Sequence, residues 1–141
     1  MVWFPKRMNE KLYRAIQCTW GLPQTLAGLG VYLAHARCPH SEFHGAVVTE
    51  WPNRSGLSLG MFLFVPDTAD ERLLVHEFGH SVQSLALGPL YLLAVGLPSV
   101  TWAKCPPVVR WRCARNIPYY TFLPERNASA LGSRILHCRA L

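Results

Sequence analysis

Acidic residues are scarce in this sequence. Eight Asp and Glu stand against fourteen Lys and Arg in 141 residues, and charge of both signs makes up only 16% of the chain, where soluble domains carry roughly a quarter. Hydrophobic residues reach 50% and the mean hydropathy is positive, a composition that leans toward a membrane or an apolar partner. Paired cysteine motifs are missing as well. The five cysteines are odd in number and contain no CxxC, which excludes a zinc ribbon and argues against a disulfide framework. Reduced thiols, and with them a cytoplasm-facing chain, are the expectation. There is no G-x-S-x-G elbow and no glycine-rich phosphate loop, so serine hydrolase and nucleotide-binding chemistry have no foothold. The first apolar run follows a charged segment and lacks a small-residue cleavage site, so no cleavable signal peptide is expected.

What charge there is falls into blocks. Lys6, Arg7, Lys11 and Arg14 form one basic group, and Lys104, Arg110, Arg112, Arg115, Arg126, Arg134 and Arg139 another. Between them, residues 37–80 carry six acids against three bases. A net charge of +6 raises nucleic-acid binding. Basic groups that flank apolar stretches instead suit an anionic lipid surface, so lipid and not nucleic acid is the expected partner.

The length fits one domain spanning residues 1–141. Residues 15–36 hold 22 positions without a charge, enough for a spanning helix, although Gln17, Thr19, Pro23, Gln24 and Thr25 favour a buried or partly inserted one. Residues 43–65 show two β-rich runs around the turn residues PNRSG, which predicts a β-hairpin. Thr68-Ala69-Asp70-Glu71 has capping-box spacing and opens a predicted helix over 68–87, stopped by Gly88-Pro89. The apolar stretch 88–103 is punctuated by Gly88-Pro89 and Gly96-Leu97-Pro98, which predicts a broken helix or a re-entrant hairpin. A short helix over 124–131, ended by Gly132, closes the pattern. The fold class is therefore α+β, a small single domain with a β-hairpin and apolar membrane-associated helices.

The chemistry concentrates in His76-Glu77-Phe78-Gly79-His80. Histidines four apart on a helix project from one face about one turn apart, so one rigid element supplies two zinc ligands. Glu77, between them, is placed to serve as general base in metal-assisted hydrolysis. Leu74, Phe78, Val82 and Leu85 fall on the opposite face, ready for burial. Zinc needs a third protein ligand, and only one carboxylate, Glu125, occurs in the 61 residues after His80. Gln83 and Ala86 stand where a metzincin would have Gly and His, and no Asp follows Asp70 to complete a site-2-type centre. For Glu125 the alternative is a solvated acid at a helix start. Tyr119 or Tyr120 is a candidate oxyanion donor and His137 a more distant one, with packing as the competing role for the tyrosines. His35, Cys38, His40 and His44 are too irregularly spaced for a second zinc site and read as loop residues.

With these residues in hand, the sequence resembles the gluzincin-type metallopeptidases, whose third ligand sits in a downstream E-x-x-A-D helix. Glu125-Arg126-Asn127-Ala128-Ser129 departs from that pattern only in Ser129. HEFGHSVQS, LGPLYLLAVGLPS and ERNASALGS together look like a group of small bacterial membrane-associated proteins with this zincin signature, a resemblance covering roughly residues 57–133. It implies His76, His80 and Glu125 as ligands of Zn2+, Glu77 as base, a peptide or protein segment as substrate, and a location at the inner membrane. Ser129 leaves a ligand histidine without the charged partner that usually orients it. An extended substrate would add to an edge strand, for which residues 57–65 are the candidate. One zinc site cannot draw ligands from both sides of a bilayer, so residues 88–103 are expected to turn back and residues 40–141 to share one side.

Overall fold

The computed structural model of the chain describes residues 9–136 and 140; Lys6, Arg7, His137, Cys138 and Arg139 lie outside them. Two helices come first, α1 (Glu10–Gln17) and α2 (Leu22–Ala34). The Asn9 side chain accepts the amides of Lys11 and Leu12, satisfying donors that a helix start leaves unpaired. Residues 18–21 turn between the helices, and Pro23 falls in the first turn of α2, where a missing N–H is tolerated. The single apolar helix expected over 15–36 is thus two shorter ones. No single helix among the described residues is long and apolar enough to cross a membrane.

Four strands follow: β1 (His40–Phe43), β2 (Ala46–Trp51), β3 (Leu57–Leu59) and β4 (Phe62–Pro66), in the order β1-β2-β4-β3. β1 and β2 are antiparallel, as are β3 and β4, while β2 and β4 run parallel. The one hairpin predicted over 43–65 is therefore corrected. Each β-rich segment carries its own tight turn, His44-Gly45 at φ 49° and 93° and Gly60-Met61 with Gly60 at φ 60°. Two-residue turns of this kind close hairpins locally, and residues 52–56 become a crossover to the far edge. Of the run 57–65 only β3 is an edge strand, since β4 lies between β2 and β3.

α3 (Glu71–Leu87) crosses the sheet. Its cap is Asp70, whose carboxylate accepts the Leu73 amide at 3.0 Å, so the helix begins two to three residues later than the Thr68 capping box predicts. Ala46 and Val48 of β2 and Leu63 and Val65 of β4 meet Phe78 and Val82 of α3, with the Tyr13 ring stacked on Phe78. Each large side chain fully buried here contributes roughly 1.5–3 kcal/mol. Phe62 and Phe64 point to the other face, under Tyr32 and Trp51. Leu74 and Leu85 pack against the core as expected. The surprise is that α3 is buried on all sides from Val75 to Ser84.

Past Gly88, at φ 54°, the chain runs through a 3-10 turn (Gly88–Leu90), a π-helical turn (Leu92–Gly96), α4 (Leu97–Lys104) and α5 (Pro106–Ala114). Cys105 is extended because a residue preceding proline avoids the helical region. Gly88-Pro89 ends α3 as its punctuation predicts, but the backbone stays helical through Gly96, Leu97 and Pro98, and the sharp bend falls at Cys105, outside the stretch 88–103. Leu92–Lys104 and Pro106–Ala114, bent by 66°, together have the length and composition of a broken span or re-entrant loop. The last helix, α6 (Leu123–Leu136), runs through Gly132 instead of ending there.

Candidate metal centre

Close approach of two backbones builds this site. A Cβ on Gly79 would overlap the Ala128 carbonyl, and one on Gly132 would overlap the Val75 carbonyl. Val75 and Gly79 of α3 therefore meet Gly132 and Ala128 of α6, each pair four residues apart and in opposite order, which fixes the helices antiparallel and nearly touching. One turn further along, the Gln83 amide donates to the Pro124 carbonyl at 2.9 Å and to Asn127 Oδ1 at 2.9 Å. Glu125, on the same turn of α6, is thereby delivered between the two histidines.

The delivered geometry is tight. Glu125 Oε2 lies 3.0 Å from His76 Nε2 and 3.1 Å from His80 Nε2. One ligand atom from each of the three residues falls within 4.8 Å of the others, all three side chains are buried, and this His-His-Glu group can hold a metal ion. Tetrahedral bonds near 2.0–2.1 Å put ligand atoms roughly 3.3–3.4 Å apart, so each histidine–glutamate distance needs only a small expansion to admit a cation. The other nitrogens are already engaged: His76 Nδ1 meets Ser129 Oγ at 2.7 Å and His80 Nδ1 meets Gln83 Oε1 at 2.8 Å. Both rings therefore turn Nε2 toward the carboxylate. Glu125 Oε1 is buried without a hydrogen-bond partner, and an orphaned carboxylate oxygen beside two imidazoles is the arrangement a cation satisfies.

Protonation follows from these contacts. Gln83 donates elsewhere with its nitrogen, so its Oε1 accepts from His80 Nδ1–H and Nε2 is left directed at Glu125. Burial alone would lower the His80 pKa, but Glu125 and Glu77 raise it above the ordinary value. Burial also opposes ionisation of Glu125, yet hydrogen bonds from His76 and His80 hold it well below the usual carboxylate range. The buried hydroxyl of half-buried Ser99 in α4 adds a smaller pull on the same carboxyl. A metal at this position would need Nε2 of both histidines unprotonated. Glu77 behaves oppositely, because burial pushes its carboxyl up against the attraction of His80 and His76. Gly56 packs against that carboxylate where any Cβ would collide with it, which puts the start of edge strand β3 beside Glu77.

Of the two tyrosines named from the sequence, Tyr120 touches the centre, and Tyr119 packs edge-on against Tyr120. The Tyr120 ring stands edge-on to His76 at 5.1 Å, and burial with the charges of Glu77 and Glu125 pushes its hydroxyl up to about 12. Tyr119 is raised by burial and then by Glu125 and Glu77. The four-residue cluster near His40 holds no comparable group. His35 Nδ1 bonds the Val31 carbonyl, and His40 bonds Thr49 and the Ala36 carbonyl. Gln83 was visible in the sequence only as a mismatch to the metzincin pattern, although an amide three residues after His80 is the signal that should identify an orienting partner. Ser99 carried no signal of its own. No protein-family model, curated protein or solved structure matches the chain.

Proposed function

We propose that this chain is a zinc-dependent, membrane-associated peptidase of the gluzincin type, with His76, His80 and Glu125 as ligands and Glu77 as general base. The observation that carries the reading is the convergence of two imidazole Nε2 atoms and a half-satisfied carboxylate in a buried site. Zinc, when bound, supplies Lewis acidity toward a peptide carbonyl and toward water. Glu77 accepts the proton of the attacking water at its carboxylate and returns it to the leaving amine nitrogen, a role suited to a carboxyl whose burial favours the protonated form. Tyr119 and Tyr120, held neutral, are the available hydroxyl donors for the developing oxyanion. An extended substrate pairing along β3 would pass Gly56 and so the Glu77 carboxylate.

A second reading, a zincin scaffold kept for structure or partner binding, draws on the uncharged partners of both histidines, Ser129 and Gln83. One experiment separates the two. Zinc content and turnover of a mixed peptide pool are measured on wild type and Glu77→Gln. The variant is expected to keep stoichiometric zinc and lose roughly 10²–10⁴-fold in turnover. Full turnover in the zinc-loaded variant would remove Glu77 from the role of base, and a wild type that takes no zinc at neutral pH would leave the scaffold.

A further inference from the structure

α2 is built inside out. Gln24, Thr25 and Gly28 face the protein, where Gln24 donates to Ser84 and to the Gly88 carbonyl and Thr25 to the Gln17 carbonyl. Leu22, Leu26, Leu29 and Leu33 face outward, with Leu26 at 55% and Leu33 at 62% exposure. Their spacing of four, three and four residues makes one stripe. A helix that hides its amides and displays its leucines is not arranged for water.

The run from Leu90 to Lys104 repeats the pattern over the metal centre. Tyr91 and Val95 are buried and the Ser99 hydroxyl is buried on the same side, whereas Leu90, Leu93, Leu97 and Val100 lie exposed on the opposite side. The two segments meet at Gly88, where the Trp20 indole fills the space a Cβ would take and Gln24 bonds the carbonyl.

Charge says what covers them. No Asp or Glu occurs in residues 11–41 or in residues 78–124. Leu33 is followed after four residues by Arg37, and Val100 after four by Lys104, both exposed. An apolar face that ends in a long cationic side chain, with exposed Trp20 and Trp111 near it, is suited to the boundary between acyl chains and anionic headgroups. Two copies of this face would bring like charges together.

We propose that the outward leucine faces of α2 and of the Leu90–Lys104 run form one docking surface for a single leaflet containing anionic lipid. The metal centre then lies beneath α4, about one helix diameter or roughly 10 Å from the lipid, within reach of chain segments that emerge at the membrane surface. Docking is read without turnover, so it stands or falls separately from the peptidase reading.

The test is co-sedimentation of the full chain with phosphatidylcholine vesicles, with and without phosphatidylglycerol, for wild type, Leu26→Gln/Leu33→Gln and Leu93→Gln/Leu97→Gln. Wild type is expected to bind the anionic vesicles more tightly, with the difference shrinking in high salt. Each double variant is expected to lose on the order of tenfold in partitioning. All four leucines are exposed, so thermal melting should not change; if one pair does unfold, the other and single Leu33→Gln carry the test. Absence of vesicle binding, binding unaffected by the variants, or a defined dimer that the variants dissolve while vesicle binding persists would overturn the proposal.

Discussion

Helix α3 carries two buried polar faces that differ in kind. On the face toward α1 and α2, Gln24 donates to Ser84, Ser84 to Gln17, Gln17 to Ser81 and Ser81 to the Gly60 carbonyl, with the Tyr13 hydroxyl also on Ser81. Every link is neutral, and the chain of donors ends on a backbone acceptor. On the face toward α6, two imidazoles converge on one carboxylate that keeps an unpaired oxygen. Both faces bury polar atoms and each leaves an oxygen unpaired, Gln24 Oε1 on the first and Glu125 Oε1 on the second, but only the second gathers charge around it. Burial of polar groups, even with an oxygen left unpaired, therefore does not identify a site; convergence of ionisable ligand atoms on that oxygen's carboxylate does.

Exchanging one group on each face gives the largest predicted contrast. Glu125→Ala is expected to weaken zinc binding by about 2.5–4 kcal/mol, roughly a quarter of what a four-ligand structural site supplies. Gln17→Ala should cost about 1–3 kcal/mol of folding stability by stranding Ser81 and Ser84 while leaving zinc content unchanged. Zinc titration and denaturant melts on both variants check this, and a Gln17→Ala protein that loses zinc would erase the distinction between the faces.

Alkali sharpens the same comparison. Burial pushes the Tyr13 hydroxyl from its ordinary 10 up to about 12. A raised folded-state value means that its contribution is fully present below pH 10 and is lost as pH climbs toward 12. Tyr13→Phe forfeits a hydrogen bond to Ser81, about 1 kcal/mol at neutral pH, but is spared the alkaline loss. The variant should melt below wild type at neutral pH and overtake it at about pH 11, as thermal melts across that range would show. Melting curves that stay parallel would place Tyr13 ionisation outside the folding equilibrium.

The smallest effect concerns the one departure from the E-x-x-A-D pattern. Ser129 meets His76 Nδ1 at 2.7 Å, so an acid there would add charge to an existing contact. Ser129→Asp is expected to tighten zinc by on the order of tenfold. Unchanged or weaker affinity would show that the uncharged partners on this face are already matched to the site.

The sequence by itself determined the features that depend on helical period and residue chemistry. HExxH sets two imidazoles on one face of a helix, the apolar positions around Phe78 and Val82 choose the opposite side, Gly88-Pro89 ends that helix, and the shortage of carboxylates leaves Glu125 as the only downstream candidate. Tertiary structure decided everything that needs two distant segments. Strand order followed from two local turns competing with a longer one, and the helix start moved to Asp70 because its carboxylate reached the Leu73 amide. Gln17, Gln24 and Thr25, which weakened a spanning helix on hydropathy, proved to be the inward face of α2, a distinction that composition averages away. Gly79, Ala128 and Gly132 mattered most and were least legible, because a small residue signals nothing until another backbone needs its space; only their contact brings Glu125 within hydrogen-bond distance of both histidines.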